Sequence, residues 1–285
     1  MSSLSDLAER ALRASIRTRR TAKASLDGPV SAVDLAISIG VTVRFLDISM
    51  EGMLIAGNRP TILLSSLRPI GRRSFTCAHE LGHHVLGHGS TVDEVKKAAE
   101  SGRFLPEEYL ADTYAGFLLM PPRGVRAAFR RRGISIASAT PIAIARVAAA
   151  FGVGFDTLVT QLAAQKEISE EASKRLRKSG PAGVRREVLG RDGAEPLHLV
   201  DVQFEAETID AEVGDLVLLP ADSEAGPLLR HIESIPAGNL FVAREPGIVR
   251  VWSVPRDWSA FVRVSRPKYV GLAAYRHMED QDGQS

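Results

Sequence analysis

Apolar side chains recur along this chain at two spacings, and the places where one spacing yields to the other divide it into parts. Leu4, Leu7, Ala11 and Leu12 keep helical spacing through an Arg- and Ala-rich stretch, residues 4–24, which predicts an amphipathic helix. Arg17, Arg19, Arg20 and Lys23 near its end read as a solvated terminus rather than a nucleic-acid contact. After Gly28 and Pro29, Ser31 and Asp34 have the spacing of a capping box, opening a short helix (Val33, Leu35, Ala36, Ile39) that Gly40 stops. Three β-rich runs follow at 41–45, 53–56 and 61–64, divided by Gly52 and by turn residues 57–60, and they predict a small antiparallel sheet. Residues 72–86 contain no proline and return to helical spacing, with Ala78, Leu81 and Val85 on the side to be buried and Gly87 as the stop. Pro106 then opens another helix as a first-turn residue.

The second half changes character. Residues 123–132 form a basic, helix-like link, and from Pro141 two short apolar helices are broken at 152–154. Ala148 and Gly152, four apart, resemble a helix-turn-helix. The second of these helices, 156–165, supplies no Lys or Arg until Lys166, whereas a DNA-reading helix needs cations for phosphate, so the element reads as a packed helical subdomain. A charged helix from Ile168 ends at Gly180 and Pro181, and the text to Gly193 reads as a linker. Beyond Glu195 the runs 197–205, 215–219, 240–244, 248–254 and 261–264 alternate or stay apolar between turn residues, which predicts a β-rich domain with Trp252 and Trp258 as core anchors. His198, His231 and His277 are scattered through it and read as ordinary residues.

Composition narrows the setting. A chain of 285 residues, 45% hydrophobic and 25% charged, can bury a sizeable core in two or three domains. The net charge of +2 excludes nothing, although Arg and Lys gather at 123–132 and 174–191. One cysteine, Cys77, leaves no internal disulfide and reads as a small buried apolar residue; a reducing compartment is expected. No apolar run reaches membrane-span length and no leader is evident, so the expectation is a cytoplasmic protein.

The chemistry concentrates in residues 79–83, His-Glu-Leu-Gly-His, of the form H-E-x-x-H. Chance alone would place that pattern in roughly one such chain in a hundred, but four of the seven histidines (His79, His83, His84, His88) fall within ten residues on a predicted helix. At 3.6 residues per turn His79 and His83 lie about 40° apart around the axis, so both imidazoles can bind one divalent ion. Glu80, a quarter turn away, can reach an ion-bound water as general base without displacing it. A catalytic site needs a third ligand. His88 lies five residues after His83, where the long histidine motif requires six, so it is set aside. Downstream, Glu108 and Asp112 share a helical face flanked by the small residues Ala111 and Ala115, which would let the two helices approach closely. A carboxylate ligand at Glu108 and an acid at Asp112 orienting a ligating imidazole fit that pair. Tyr109 and Tyr114 are nearby candidates for an oxyanion donor.

Residues 75–84 (FTCAHELGHH) followed by 108–121 (EYLADTYAGFLLMP) resemble the ImmA/IrrE family of bacterial and phage zinc metallopeptidases, over roughly residues 30–165. The resemblance implies a gluzincin-like enzyme with metal ligands His79, His83 and Glu108 and catalytic base Glu80, whose substrate is often a helix-turn-helix repressor encoded nearby. The ion is expected to be Zn²⁺, while Mn²⁺, Fe²⁺ or Co²⁺ also suit such a site. The expected fold is α+β: a zincin-like metallopeptidase domain at 1–125 with a small antiparallel sheet on the active-site helices, a helix-turn-helix-like subdomain at 126–180, a linker at 181–194, and a β-rich sensor or interaction domain at 195–285. The edge around residues 52–55 is the expected peptide-binding strand. Two other functions are open: a metal-bound protein that sequesters a repressor without cutting it, and a DNA-binding regulator using the Arg-rich patches.

Overall fold

The structure, a computed structural model, describes residues 3–88 and 105–278. The last residues of the expected C-terminal domain, 279–285, lie outside the described residues. The chain is a mixed α and β protein with helices and several small sheets, and it divides into two compact units, one of residues 1–122 and 270–274 and one of residues 123–269 and 275–285.

In the first unit, α1 (Leu4–Thr21) is fixed at its start by Ser3 and Asp6, whose side chains each accept the other's backbone N–H, and it buries Leu7, Ala11 and Ala14. Its far end departs from the solvated terminus expected there. Arg19 is 1% exposed and donates to the carbonyls of Leu118, Ser25 and Gly28, so its guanidinium closes backbone acceptors that would otherwise be orphaned. Helix α2 (Ala32–Ser38) is capped by Ser31, as its spacing predicts.

Strands β1 (Thr42–Leu46), β2 (Gly52–Ile55) and β3 (Thr61–Ser65) form a sheet with the short strand Gly271–Leu272, which pairs with the outer side of β1. The sheet is mixed rather than antiparallel. β2 and β3 make a hairpin, but β3 inserts between β2 and β1, so it must run parallel to β1. Alternation along a strand reveals which face is buried but not who its neighbour is, which is why this order escaped the pattern. β2 is the opposite edge strand of this sheet among the described residues.

Helix α3 (Ile70–Leu86) packs on that sheet and on α4 (Pro106–Leu119). Cys77, Ala78 and Leu81 are wholly buried, and Gly87 in the left-handed conformation (φ 76°) ends α3. Gly82 sits where α3 meets α4: a Cβ there would lie 2.9 Å from Tyr114 Cδ1 and 3.2 Å from Ala111 Cα. The lack of a side chain at Gly82 therefore sets the separation of the two helices.

The second unit begins along the basic helix α5 (Pro122–Arg131), followed by α6 (Pro141–Ala150) and α7 (Phe155–Ala164), bent by 99° to each other. The expected linker at 181–194 is instead helical as far as Leu189. Helix α8 (Glu170–Leu189) carries a local kink at Gly180 (φ 57°, ψ −174°), and Pro181 re-enters the helix where a missing N–H costs nothing. Leu176 before the kink and Val184 and Arg185 after it are buried, so tertiary packing overrides the Gly-Pro break. The β-rich part holds two four-stranded sheets. One has the order β5 (Thr208–Glu212), β11 (Trp258–Ser265), β10 (Gly247–Ser253), β7 (Glu224–Ala225); the other has β4 (Leu197–Leu199), β6 (Leu216–Leu219), β9 (Gly238–Ala243), β8 (Leu229–Ile235). β8 was not legible because Arg230, His231 and Ile232 are all exposed, so its outer face lacks apolar alternation. Trp258 is buried, whereas Trp252 is only half-buried. Among the described residues no single helix is long and apolar enough to cross a membrane.

Candidate metal centre

His79 and His83 stand one turn apart on α3, with ring centroids 4.8 Å apart and planes at 64°. Their Nε2 atoms approach to 3.1 Å. Glu108, in the first turn of α4, reaches between them: Oε2 lies 3.4 Å from His79 Nε2 and Oε1 lies 3.3 Å from His83 Nε2. Together His79, His83 and Glu108 are the group whose ligand atoms could hold one ion among the described residues. The spacing suits such an ion. Ligands bound tetrahedrally at about 2.0–2.1 Å sit roughly 3.3 Å from one another, which is the scale of all three separations.

The outer nitrogens orient the rings. His79 Nδ1 donates to Asp112 Oδ1 at 2.8 Å, which leaves the Nε2 lone pair facing Glu108. His83 Nδ1 lies 3.1 Å from Nδ1 of His88. Burial holds the His88 pKa below its ordinary value, and a neutral imidazole can accept from His83 and so turn that ring's lone pair inward. His88 is therefore an orienting partner, a role not considered when its spacing excluded it as a ligand. The available signal was the left-handed Gly87, which folds the chain back so that the His88 N–H donates to the His83 carbonyl at 2.9 Å.

The charges around this group are those a cation would meet. Hydrogen bonds from His79 and His83 hold the Glu108 carboxyl far below the usual carboxylate range. Burial by itself would lower the His79 pKa, but its bonds to Asp112 and Glu108 carry it up to about 10. In other words, a proton is drawn strongly into the place that a divalent ion can take. Glu80 is half-buried beside the group, and burial pushes its carboxyl above the ordinary value against the opposing pull of His79 and His83. Its carboxylate also accepts the backbone N–H of Leu54, on the edge strand β2.

Tyr114 does not face this cleft. It is wholly buried and its hydroxyl donates to Thr18 Oγ1 at 2.9 Å, and burial raises its pKa, so it is a structural tie between α4 and α1 rather than an oxyanion donor.

No curated protein matches the sequence. One solved structure, described as a Mycobacterium tuberculosis transcriptional regulator, aligns at 18% identity and a TM-score of 0.36; the alignment covers 54% of this chain and 46% of that one, so the present chain spans about half its length. Residues 37–162 match the family model of the IrrE N-terminal-like domain, Peptidase M78, a stretch that includes α3, α4 and every residue of the candidate centre. By that match, residues 37–162 form an IrrE N-terminal-like, Peptidase M78 domain, in agreement with the resemblance to the ImmA/IrrE family that the two motifs carry.

Proposed function

We propose that this protein is a zinc-dependent metallo-endopeptidase whose substrate is a protein regulator, such as a helix-turn-helix repressor encoded nearby, so that cleavage controls transcription. The observation that carries the hydrolytic reading is the convergence of His79, His83 and Glu108 next to a carboxylate, Glu80, that none of the three needs as a ligand.

Bound to these three side chains, a divalent ion supplies an acidified water and a Lewis acid for the peptide carbonyl. His79, His83 and Glu108 would hold that ion, and Asp112 and His88 would keep the two imidazoles in the ligating tautomer. Glu80, its proton affinity raised by burial, takes the proton from the attacking water and returns it to the leaving amine. Strand β2, at the edge of its sheet and beside Glu80, is where an extended peptide is aligned without its sequence being read. Zn²⁺ is preferred over Mn²⁺, Fe²⁺ or Co²⁺ by affinity. The repressor as substrate rests on the family resemblance alone.

The test is to incubate the chain with the product of the adjacent repressor-like reading frame, with and without chelator, and to compare Glu80→Gln and His83→Ala. Glu80→Gln keeps its ion yet cuts nothing, while His83→Ala loses the ion. Full cleavage by Glu80→Gln would refute the assignment of the base, and tight binding without fragments would point instead to a sequestering protein.

A further inference from the structure

The hydrogen-bond phase of the small sheet fixes what β2 turns outward. On one side of β3 the Ser65 N–H donates to the Glu51 carbonyl; on the other, the Thr42 N–H donates to Pro60 and the Ser66 N–H to Leu46. Odd-numbered residues of β3 therefore bond to β2 and even-numbered ones to β1. Met53 and Ile55, opposite Leu63 and Thr61, turn their main-chain groups toward β3, and Gly52 and Leu54, opposite Leu64 and Ile62, turn theirs away from it. The bond from the Leu54 N–H to Glu80 obeys this phase.

Strand and helix run side by side. A Cβ on Gly52 would lie 2.6 Å from Thr76 Cγ2, and Leu54 is bonded to Glu80, so two contacts about 6–7 Å apart match one turn of α3 to two residues of β2. Leu54 is 4% exposed, its side chain turned to the helix side. By alternation Met53 and Ile55 stand on the opposite face, where Ile55 is 45% exposed and Met53 and its cross-strand neighbour Leu63 are half-buried. Edge strands usually carry charge against unwanted pairing, yet β2 reads Gly-Met-Leu-Ile. An apolar edge level with the base is the part of the cleft a substrate side chain would cover.

We propose that Met53 and Ile55 determine specificity, selecting an extended peptide with apolar side chains at two positions separated by one residue. The inference rests on the peptidase reading and names the sequence class that reading leaves open. Main-chain bonds to an edge carry no preference, so selection falls to side chains. The peptide residue opposite Leu54 lies level with Glu80 and points to α3, and its two neighbours point to the other face, one over Ile55 and one over Met53 and Leu63. Alternation is the same for either chain direction. A carboxylate in either place is desolvated without a partner.

The probes are fluorescein-labelled peptides with the cores Gly-Leu-Gly-Leu-Gly, Gly-Leu-Leu-Gly-Gly and Gly-Asp-Gly-Asp-Gly. They are titrated by anisotropy into the zinc-loaded full chain carrying Glu80→Gln, which leaves them uncut. Acetohydroxamate, titrated into the zinc-loaded parent, reports the ion alone. The alternating Leu core should bind about tenfold tighter than its adjacent isomer and than the Asp core. Adding Ile55→Asp, at an exposed position, should remove most of that preference, with melting temperature, zinc affinity and acetohydroxamate binding unchanged. If acetohydroxamate does not bind the zinc-loaded parent, the peptidase reading fails and this inference falls with it. If it does bind, then absence of peptide binding, equal affinity for the three cores, or a preference unaltered by Ile55→Asp overturns the specificity assignment alone.

Discussion

Replacing Gly82 by alanine adds a single methyl group at the closest approach of α3 and α4. The new Cβ would meet Tyr114 Cδ1 at 2.9 Å, Ala111 Cα at 3.2 Å and the Ala111 carbonyl at 3.3 Å, where carbon contacts are comfortable only at about 3.5–4.0 Å. Tyr114 cannot swing aside, because it is wholly buried and its hydroxyl is tied to Thr18. The relief must come from α4 moving away by about half an ångström. Glu108 rides on α4 and both histidines ride on α3, so their separations of 3.3 and 3.4 Å open by a similar amount. Metal–ligand bonds tolerate only about 0.2 Å of error, and ion affinity should fall roughly ten- to hundredfold. Stability should change far less, because overpacking costs about 1–3 kcal/mol and alanine recovers about 1 kcal/mol of helix propensity. Competition for Zn²⁺ against a chromophoric chelator, beside thermal melts of the chelated protein, separates the two effects. A Gly82→Ala protein that holds zinc as tightly as its parent would refute the idea that helix spacing sets the site.

Asp112→Asn should lower zinc affinity about tenfold while leaving the fold intact, since the side chain is largely exposed and its main bond is to His79; the same chelator competition reads it. For pH, the His79 pKa lies near 10 when folded against 6.5 when unfolded, so its contribution is fully present below pH 6.5 and is lost as pH rises toward 10. The chelated protein should therefore lose melting temperature across that window, whereas the zinc-loaded one, in which the ion has replaced the proton, should not; parallel curves would count against this account. Arg19→Ala should destabilise by about 3 kcal/mol in urea unfolding, because it strands the carbonyls of Leu118, Ser25 and Gly28.

The parts of the centre that were legible in the sequence are those set by short periods. His79, Glu80 and His83 are related by one helical turn, and Glu108 and Asp112 by another, so facing side chains follow from spacing alone. What the text could not show depends on partners distant along the chain. Arg19 looked solvated until Leu118, ninety-nine residues away, supplied its acceptor. Gly82 carries no local mark of its role, because that role exists only when α4 is present. The sheet order failed for the same reason, since β3 enters between β1 and β2 without any mark in its own residues. Gly180 and Pro181 misled in the opposite direction, as a strong local stop signal was outweighed by the docking of Val184 and Arg185.

The strand Gly271–Leu272 carries a practical lesson for anyone trimming this gene. Arg44 and Phe45 of β1 bond to it, although it is encoded more than a hundred residues after the end of the peptidase match at 162. A fragment stopped at that boundary would present β1 as a second raw border, inviting self-association through bare backbone groups. During synthesis the same border stays uncovered until residues 271 and 272 emerge, long after the rest of the first unit.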